Sequence, residues 1–220
     1  MTDQTARLTW TDTAHGAVPV STRFDDPYYA LAGGLAESRH VFLDGNDLPR
    51  RFRDGFHVAE LGFGTGLNLL ATLAAFRASG TPGRLRFTSF ELYPMTRADR
   101  MRALAPFDGI DASVLDQDDL TSIELPDLSF RLVPGDARQT VPAWEDTADA
   151  WFLDGFSPAR NPELWEPALL RAVAARTAPG GTFATYSAAG AVRRALSEAG
   201  FAVARVPGFG TKRHMTRGSL

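Results

Sequence analysis

The sequence predicts an α/β fold with a mostly parallel, doubly wound sheet, an antiparallel pair of strands at the C-terminus and a small N-terminal cap. Three observations lead to this prediction. Strand-like and helical patterns alternate from His57 onwards, the apolar run Ala148–Leu153 is typical of a strand covered on both faces, and a glycine-rich turn joins the first strand of the series to the first helix. We expect residues 1–56 to form the cap and residues 57–220 the main domain.

The composition is that of a globular protein. Of the 220 residues, 44% are hydrophobic and 22% are charged, which suits one α/β domain with a sizeable core. The chain has no cysteine, which excludes disulfides and thiolate catalysis, and its four histidines lack metal-ligand spacing, so we expect no metal site. No signal segment or membrane-spanning run is recognisable, which predicts a cytoplasmic protein. Because the net charge is −3, RNA binding would require a local basic patch.

The cap is predicted to contain few regular elements. Thr5–Trp10 and Ala17–Ser21 are expected to pair as a hairpin around His15 and Gly16. A helix is expected from Leu31 towards Phe42, and Asp44–Asp47 is a predicted turn.

From His57 the predicted elements alternate regularly. The strands are His57–Leu61, Arg84–Leu92, Phe130–Val133, Ala148–Leu153 and Thr182–Tyr186, followed by an antiparallel pair at Phe201–Val206 and Lys212–Arg217. The helices are Asn68–Ala78, Thr96–Leu104, Ala137–Pro142, Pro162–Thr177 with Asn161 as its N-cap, and Ala189–Ala199. Residues 105–128 are expected to form a looser insert.

The glycine-rich turn indicates a cofactor site. Gly62, Gly64 and Gly66 stand at every second position, where glycine lets the backbone approach a ligand and the helix start offers free N–H groups. This spacing differs from the Gly-x-Gly-x-x-Gly fingerprint of dinucleotide-binding folds, which disfavours an NAD dehydrogenase. With Glu60 two residues before the first glycine, the stretch resembles the first motif of Rossmann-like class I S-adenosylmethionine (SAM) methyltransferases. The alternative is a turn that merely needed glycine.

Acidic residues stand at the ends of the first four predicted strands: Glu60, Glu91, Asp136 and Asp154. Ligands of doubly wound sheets lie beyond the C-terminal ends of the strands, so these acids are candidate ligand contacts. Glu91 is placed to accept hydrogen bonds from the ribose hydroxyls of an adenosyl group, and Asp136 from the exocyclic amine of adenine. Phe63 and Asn68, in and after the glycine turn, are further candidate SAM contacts.

Asp154 opens a loop at the position where amino-methylating enzymes carry an Asp/Asn-Pro-Pro-aromatic loop. A free amine has a pKa of roughly 10, so it must lose a proton before its lone pair can attack a methyl group. A carboxylate at this point can orient the ammonium and take or relay its proton, which makes Asp154 the candidate catalytic residue. The alternative is that Asp154 only caps the loop through backbone N–H bonds.

In these motifs the chain resembles the bacterial tRNA 5-methylaminomethyl-2-thiouridine methyltransferases, both the stand-alone MnmD type and the methyltransferase half of bifunctional MnmC enzymes. The resemblance runs from about Phe24 to Gly218 and rests on residues 24–29, 34–39, 41–43, 60–68, 89–91, 96–99, 150–162, 186–194 and 208–213. Residues 154–162 and 208–213 are the most specific of these. Arg160 stands where the family often has lysine, and Ser187 and Ala191 stand where bulkier residues are common.

The resemblance implies transfer of a methyl group from SAM to the exocyclic amine of 5-aminomethyl-2-thiouridine at the tRNA wobble position. It implies that Gly62, Gly64, Gly66, Glu91 and Asp136 hold SAM and that Asp154 faces the amine. Tyr28 or Tyr29 is expected to stack on the extracted base, with Phe156 nearby in the substrate site. The expected basic cluster for the phosphates of the anticodon stem-loop consists of Arg160, Arg193, Arg194, Lys212 and Arg213.

Two further expectations follow from the resemblance. The flavin-dependent oxidase half of the bifunctional enzymes is not part of this chain, so a separate oxidase is expected to act in the preceding step, and neither flavin nor metal is expected here. Two other functions remain open: a SAM-dependent N-methyltransferase of a small-molecule amine, and a non-catalytic module that binds an adenosyl ligand or RNA.

Overall fold

The computed structural model describes residues 4–14, 16–30 and 33–220. Within these ranges the strands are β1 Leu8–Thr13, β2 Gly16–Ser21, β3 Asp26–Pro27, β4 His57–Leu61, β5 Leu85–Glu91, β6 Ser122–Leu125, β7 Leu128–Pro134, β8 Ala148–Leu153, β9 Thr177–Thr185, β10 Ala202–Pro207 and β11 His214–Ser219. The helices are α1 Gly34–Ser38, α2 Leu67–Ala78, α3 Arg97–Leu104, α4 Ala137–Ala143, α5 Pro167–Ala175 and α6 Gly190–Glu198. None of these helices is long and apolar enough to cross a membrane.

The main sheet has eight strands in the order β10-β11-β9-β8-β4-β5-β7-β6. The five central strands pair in parallel, whereas β6 is antiparallel to β7, β11 to β9 and β10 to β11. The mostly parallel sheet with an antiparallel C-terminal pair is therefore confirmed. Because the chain leaves β4 towards β5 on one side and later returns to β8 on the other, the ends of β4 and β8 flank the crevice where such sheets bind ligands.

Both faces of the sheet are covered by apolar side chains, which is why the central strands are continuous hydrophobic runs. On one face Phe87 and Phe152 pack with α2 residues such as Leu70. On the other face Trp151 packs with Leu170 of α5 and with residues of α4 and α6. Because side chains pack on both faces of the sheet, the ends of its strands have fixed positions.

The N-terminal segment is a three-stranded antiparallel sheet followed by helical turns. β1 and β2 form the predicted hairpin with shifted bounds, while His15 lies outside the described residues. The predicted helix from Leu31 to Phe42 is not one regular α-helix. Leu31 and Ala32 are outside the described residues, α1 has only five residues, and residues 39–43 form a π-helical turn. Val41 and Phe42 are buried in the same core as Phe152. The domain boundary at residue 57 stays a prediction.

Three predicted elements need correction. The insert 105–128 contains β6, whose Ile123 pairs with Phe130 and extends the sheet at its edge. The single helix Pro162–Thr177 is replaced by a 3-10 turn at Pro162–Trp165 and then α5, because the second proline, Pro167, keeps Glu166 extended and starts a new helix. Asn161 accordingly makes no side-chain cap hydrogen bond.

The bounds of the C-terminal strands also differ from the prediction. β9 begins at Thr177, five residues before the predicted start, and its pairing with β8 is irregular between Ala148 and Ala150. The segment Pro179–Gly181 therefore belongs to the strand and does not form a turn before it. β11 begins at His214, which leaves Lys212 in the loop between β10 and β11.

Candidate active site

The C-terminal ends of β4, β5, β7 and β8 open into a cavity of about 670 Å³. This volume is in the range of roughly 300–1,000 Å³ that is usual for small-molecule sites. The predicted site residues that line it are Tyr28, Tyr29, Gly62, Phe63, Gly64, Asn68, Glu91, Asp136, Asp154, Phe156 and Lys212. The predicted residues that do not line it are Glu60, Gly66, Arg160, Arg193, Arg194 and Arg213.

The glycine turn needs glycine for its backbone conformation. Gly62, Gly64 and Gly66 have φ values of 81°, 54° and 81°, a region that L side chains rarely adopt. A Cβ on Gly64 would lie 3.2 Å from the Tyr28 ring, and one on Gly66 would collide with Leu115. Gly62 thus permits close packing against the Gly155 backbone, at 3.3 Å from an added Cβ, Gly64 permits the approach of Tyr28, and Gly66 permits close packing behind the turn.

Glu91 joins the glycine turn to the end of β5. Its Oε2 accepts a hydrogen bond from the backbone N–H of Gly64 at 3.0 Å, and its Oε1 accepts one from the N–H of Tyr93 at 2.7 Å. Burial raises the pKa of Glu91, and these backbone hydrogen bonds oppose the shift. Each carboxylate oxygen has a second lone pair, so Glu91 retains acceptors for hydroxyl groups in the cavity.

Asp136 caps α4 and is held by an arginine. Its carboxylate accepts hydrogen bonds from the backbone N–H of Arg138 at 2.9 Å and from the guanidinium at 2.7 Å, while Arg138 also contacts Glu166 at 3.0 Å. The hydrogen bond from Arg138 is the main reason that the pKa of Asp136 is lowered. An ionised acceptor at the cavity edge is therefore maintained.

Asn68 of α2 connects two buried acids. Its Nδ2 donates to Glu60 Oε1 and to Asp154 Oδ2, both at 2.8 Å, and its Oδ1 accepts from the Ser38 hydroxyl at 2.6 Å. Ser89 donates to the other oxygen of Glu60 at 2.7 Å. Burial and the nearby charge of Asp154 raise the pKa of Glu60 well above its ordinary value. Glu60 is shielded from the cavity, so it acts on the site through Asn68.

Asp154 lies at the cavity surface with both oxygens engaged. Oδ1 accepts a hydrogen bond from its neighbour Gly155 N–H at 2.8 Å, and Oδ2 accepts the one from Asn68. Burial raises the pKa of Asp154 to about 6, although the two hydrogen bonds and the charge of Lys212 oppose the shift. Asp154 therefore makes a loop-capping hydrogen bond and also presents a carboxylate, ionised at neutral pH, to the cavity.

Lys212 points into the cavity beside Asp154. Its Nζ donates to Glu37 Oε1 at 2.8 Å and lies 4.1 Å from the centroid of the Tyr186 ring. Tyr186 in turn donates its hydroxyl to Gly155 O at 2.8 Å. That Lys212 contacts RNA phosphates stays a prediction: its side chain is partly exposed, and its ammonium pairs with the Glu37 carboxylate and lies over the Tyr186 ring.

The loop after Asp154 is fixed by residues from distant parts of the chain. The N–H of Ser157 donates to Asp26 at 2.9 Å, and Trp165 Nε1 donates to Phe156 O at 2.9 Å. Arg160 forms an ion pair with Asp25 at 2.6 Å. The loop therefore has a defined conformation over the cavity.

Three aromatic side chains form a wall at the cavity mouth. The Phe156 ring stacks on Phe24 with a centroid distance of 4.7 Å and meets Tyr28 edge-on at 4.9 Å. Tyr29, by contrast, donates its hydroxyl to Ala103 O at 3.0 Å and packs on Phe107 at 5.1 Å. Of the two tyrosines predicted to stack on a base, Tyr28 is the one in this aromatic wall, and Tyr29 has a packing role.

Four residues of the predicted basic cluster do not line the cavity, and their contact with RNA stays a prediction. Arg160 is paired with Asp25, Arg193 is partly buried, and Arg194 and Arg213 are exposed away from the cavity. Of the five residues in the predicted cluster, Lys212 alone lines the cavity.

Sequence reasoning missed Glu37, Tyr186, Asp26 and Ser38 as site residues. Glu37 and Tyr186 hold Lys212, Asp26 holds the loop, and Ser38 orients Asn68. Their only signal was that they stand in or next to the segments that carry the family resemblance. Over residues 4–14, 16–30 and 33–220, no group of His, Asp and Glu side chains could hold a metal ion.

The polar groups that line the cavity fit a cationic adenosyl ligand. Glu91 and Asp136 supply acceptors on one side of the glycine turn, and Asp154 and Glu37 supply negative charge on the other. Gly62 and Gly64 line the cavity between these groups and present backbone without a side chain. These features match the hydroxyls, the exocyclic amine and the positive charges of SAM.

Comparison with known proteins adds independent findings. Residues 112–220 match a sequence model described as S-adenosyl-L-methionine-dependent methyltransferase. The chain is 48% identical to the tRNA 5-methylaminomethyl-2-thiouridine biosynthesis bifunctional protein MnmC of Caulobacter sp. strain K31, over 97% of this chain and 38% of that protein. It is 42% identical to the protein of the same name from Stutzerimonas stutzeri strain A1501, over 99% of this chain and 35% of that protein.

Among solved structures, MnmC2 from Aquifex aeolicus is similar with a TM-score of 0.78 and 27% sequence identity. The match covers 98% of this chain and 71% of that one. The chain spans somewhat more than a third of the length of the two curated relatives named above.

Proposed function

Because this chain belongs to the family of S-adenosyl-L-methionine-dependent methyltransferases, we propose that it methylates the exocyclic amine of 5-aminomethyl-2-thiouridine at the tRNA wobble position, giving 5-methylaminomethyl-2-thiouridine. The proposal includes the anticodon stem-loop as the macromolecular partner, a separate oxidase for the preceding step and a cytoplasmic location. It is supported by the identity to bifunctional MnmC proteins along nearly the whole chain.

The position of Asp154 carries the proposal. Its carboxylate lies at the cavity surface, one hydrogen bond from Asn68 at the start of α2 and next to the aromatic wall of Phe24, Tyr28 and Phe156. An amine that enters along the aromatic wall would meet this carboxylate beside the glycine turn. The arrangement suits a planar base that carries a short amine substituent.

The residues on the sheet side would hold SAM. The backbone at Gly62 and Gly64 would contact SAM. Glu91 would accept hydrogen bonds from the ribose hydroxyls of SAM, and Asp136 would accept one from the adenine amine. When bound, SAM supplies a methyl group on a sulfonium centre. The buried position of Glu91 and the capped position of Asp136 preset the acceptor geometry before binding.

On the acceptor side, Asp154 and Lys212 have opposite effects on the amine. The Asp154 carboxylate accepts a hydrogen bond from the substrate ammonium, orients it and receives its proton. Lys212 places a second positive charge in the same space, which disfavours an additional ammonium and so favours the neutral, nucleophilic amine. Glu37 and Tyr186 keep the Lys212 ammonium at that place.

The test is the identity of the methylated nucleoside. The protein is incubated with labelled SAM and tRNA from a strain that lacks this modification step, and the tRNA is then digested and its nucleosides identified. We expect label in 5-methylaminomethyl-2-thiouridine alone. Label that appears in a small-molecule amine but not in tRNA would overturn the tRNA assignment, and SAM binding without any turnover would indicate a binding module.

Salt dependence gives a second discriminator. Phosphate contacts make affinity for RNA fall steeply with salt, whereas a small neutral substrate shows little dependence. We therefore expect the apparent KM for tRNA to rise with salt while SAM affinity changes little.

A further inference from the structure

A second cavity, of about 530 Å³, lies directly behind the aromatic wall. It is lined by residues 4–7 and 21–24 and by Tyr28 and Tyr93. Arg23, Phe24, Tyr28 and Tyr93 line both cavities, so the two spaces adjoin at these side chains. A ligand that extends past these side chains would enter the second cavity.

The two cavities differ in charge. The active-site cavity is lined by six acids, among them Glu37, Glu91 and Asp154, and by three basic residues, Arg23, Arg138 and Lys212. The described lining of the second cavity includes Arg7 and Arg23 and no acid. An amine suits the acidic cavity and an anion suits the basic one. A substrate that carries both groups side by side would therefore place its amine in the first cavity and its anion in the second.

The two arginines are available for an anion. Arg7 and Arg23 are both exposed, and in the ranges that the structure describes neither guanidinium forms an ion pair with a carboxylate. Arg138 and Arg160, by contrast, are each held by an aspartate. The guanidinium of Arg23 lies 4.7 Å from the Tyr93 ring centroid and 5.9 Å from that of Phe24, so it is stacked and its N–H groups remain free to point outwards.

We propose that this second cavity binds the nucleotide that adjoins the methylated one in the RNA substrate, with its phosphate on Arg7 and Arg23 and its base beside the tyrosine side chains that line the cavity, Tyr28 and Tyr93. The inference rests on the proposed function. Guanidinium groups that receive phosphate beside aromatic rings that receive bases are the usual composition of a single-stranded nucleic-acid site. A bound neighbour would hold the target base extended towards Asp154 and explain how an acidic chain retains RNA.

The test compares charge reversals inside and outside the second cavity. One variant carries Arg7→Glu and Arg23→Glu. The matched control carries Arg131→Glu and Arg171→Glu, which makes the same change in net charge at exposed arginines that line neither cavity. KM and kcat are measured with tRNA that lacks the modification, at several salt concentrations, and SAM affinity is measured by calorimetry.

We expect the cavity variant to raise KM for tRNA by roughly tenfold or more relative to the control, which is the effect of removing about one charge-assisted hydrogen bond. The slope of log KM against log salt should become shallower by about 0.7 for each phosphate that the variant no longer neutralises. SAM affinity should stay within about twofold of the parent.

Each other outcome is decisive. A parent protein that does not methylate tRNA would overturn both the proposed function and this inference. A parent that methylates tRNA, with equal KM in the cavity variant and the control, would overturn the inference alone. If SAM affinity falls in the double variant, Arg7→Glu alone decides, because Arg7 lines the second cavity but not the first: normal KM for tRNA in that variant would overturn the inference.

Discussion

The two sides of the active-site cavity are built in different ways. The side assigned to SAM consists of the ends of adjacent strands and the turn that follows one of them, so Glu91, Asp136 and the glycines are placed by the sheet itself. The side assigned to the amine is assembled from segments far apart in the chain, since Glu37, Tyr186 and Lys212 meet around the loop that starts at Asp154.

Substitutions on the two sides of the cavity should therefore have different effects. Changes on the sheet side should act on SAM affinity, because those groups have fixed positions before any substrate arrives. Changes on the acceptor side should act on kcat, because the groups there control the charge and protonation of the amine. The predictions below test whether the two sides can be separated in this way.

The largest effect is expected for Asp154→Asn. The kcat should fall by roughly two to four orders of magnitude, because the variant lacks the charge that orients the ammonium and takes its proton. SAM affinity should change only a few-fold. Since both Asp154 oxygens accept hydrogen bonds, the new amide NH₂ will face a donor, and thermal unfolding should be measured alongside the kinetics. A kcat within a few-fold of the parent would remove Asp154 from the mechanism.

The parent protein should show the corresponding pH dependence. The pKa of Asp154 is raised to about 6, so its carboxylate is ionised above that pH and protonated below it. The kcat/KM, which reports pKa values of the free enzyme, should therefore decrease as the pH falls through about 6, and this acidic limb should be absent from the residual activity of the Asp154→Asn variant. A parent profile that is flat between pH 5 and 7 would contradict the assignment.

The next effect is expected for Gly64→Val. A Cβ at this position would lie 3.2 Å from the Tyr28 ring in a backbone conformation with φ of 54°, so the turn must shift and SAM binding should be lost. The control is Gly80→Val, since Gly80 also has a positive φ, 67°, but no atom lies within 4 Å of an added Cβ. Calorimetry should show SAM binding in the control and not in Gly64→Val. Near-normal SAM affinity in Gly64→Val would contradict the assignment of the glycine turn to the SAM site.

A smaller effect is expected for Asp136→Ala. Removal of a single acceptor should weaken SAM binding by about 1–3 kcal/mol and leave kcat at saturating SAM nearly unchanged. Arg138→Gln is the control, because it keeps the Asp136 carboxylate and its hydrogen bond from the backbone of residue 138. If Arg138→Gln weakens SAM binding as much as Asp136→Ala does, the contribution is from the ion pair and not from an acceptor for adenine.

The smallest effect is expected for Lys212→Met, which removes the charge but keeps the length of the side chain. We expect kcat at neutral pH to fall by about tenfold and to recover at high pH, because without the ammonium the substrate amine keeps its proton to a higher pH. Lys212→Arg should retain most of the activity. A large loss of SAM affinity in Lys212→Met would instead place Lys212 on the cofactor side and break the proposed separation.

The same difference explains what could be predicted from the sequence. The order of most strands and helices followed from hydrophobic patterns. The convergence of Glu91, Asp136 and Asp154 on one cavity followed as well, because a parallel sheet brings the C-terminal ends of its strands together whatever the loops do. The contacts of Lys212 could not be predicted, because its partners Glu37 and Tyr186 are 175 and 26 positions away in the chain and no local pattern links them.

Two local errors have physical causes as well. The single predicted helix after Asn161 overlooked Pro167, whose ring forces the preceding residue out of the helical conformation. The strand β6 was missed because it is an edge strand of four residues, stabilised by pairing with β7 and too short to show a periodic pattern.

The raised pKa of Asp154 has a consequence for heats of binding. Near pH 6 this carboxyl group is close to half protonated in the free protein. A cationic ligand that settles next to it favours the charged form, so binding expels part of a proton into the buffer. The observed enthalpy should therefore change with the ionisation enthalpy of the buffer, and most strongly close to pH 6. A calorimeter can thus count the fraction of a proton released at Asp154 without any catalytic turnover.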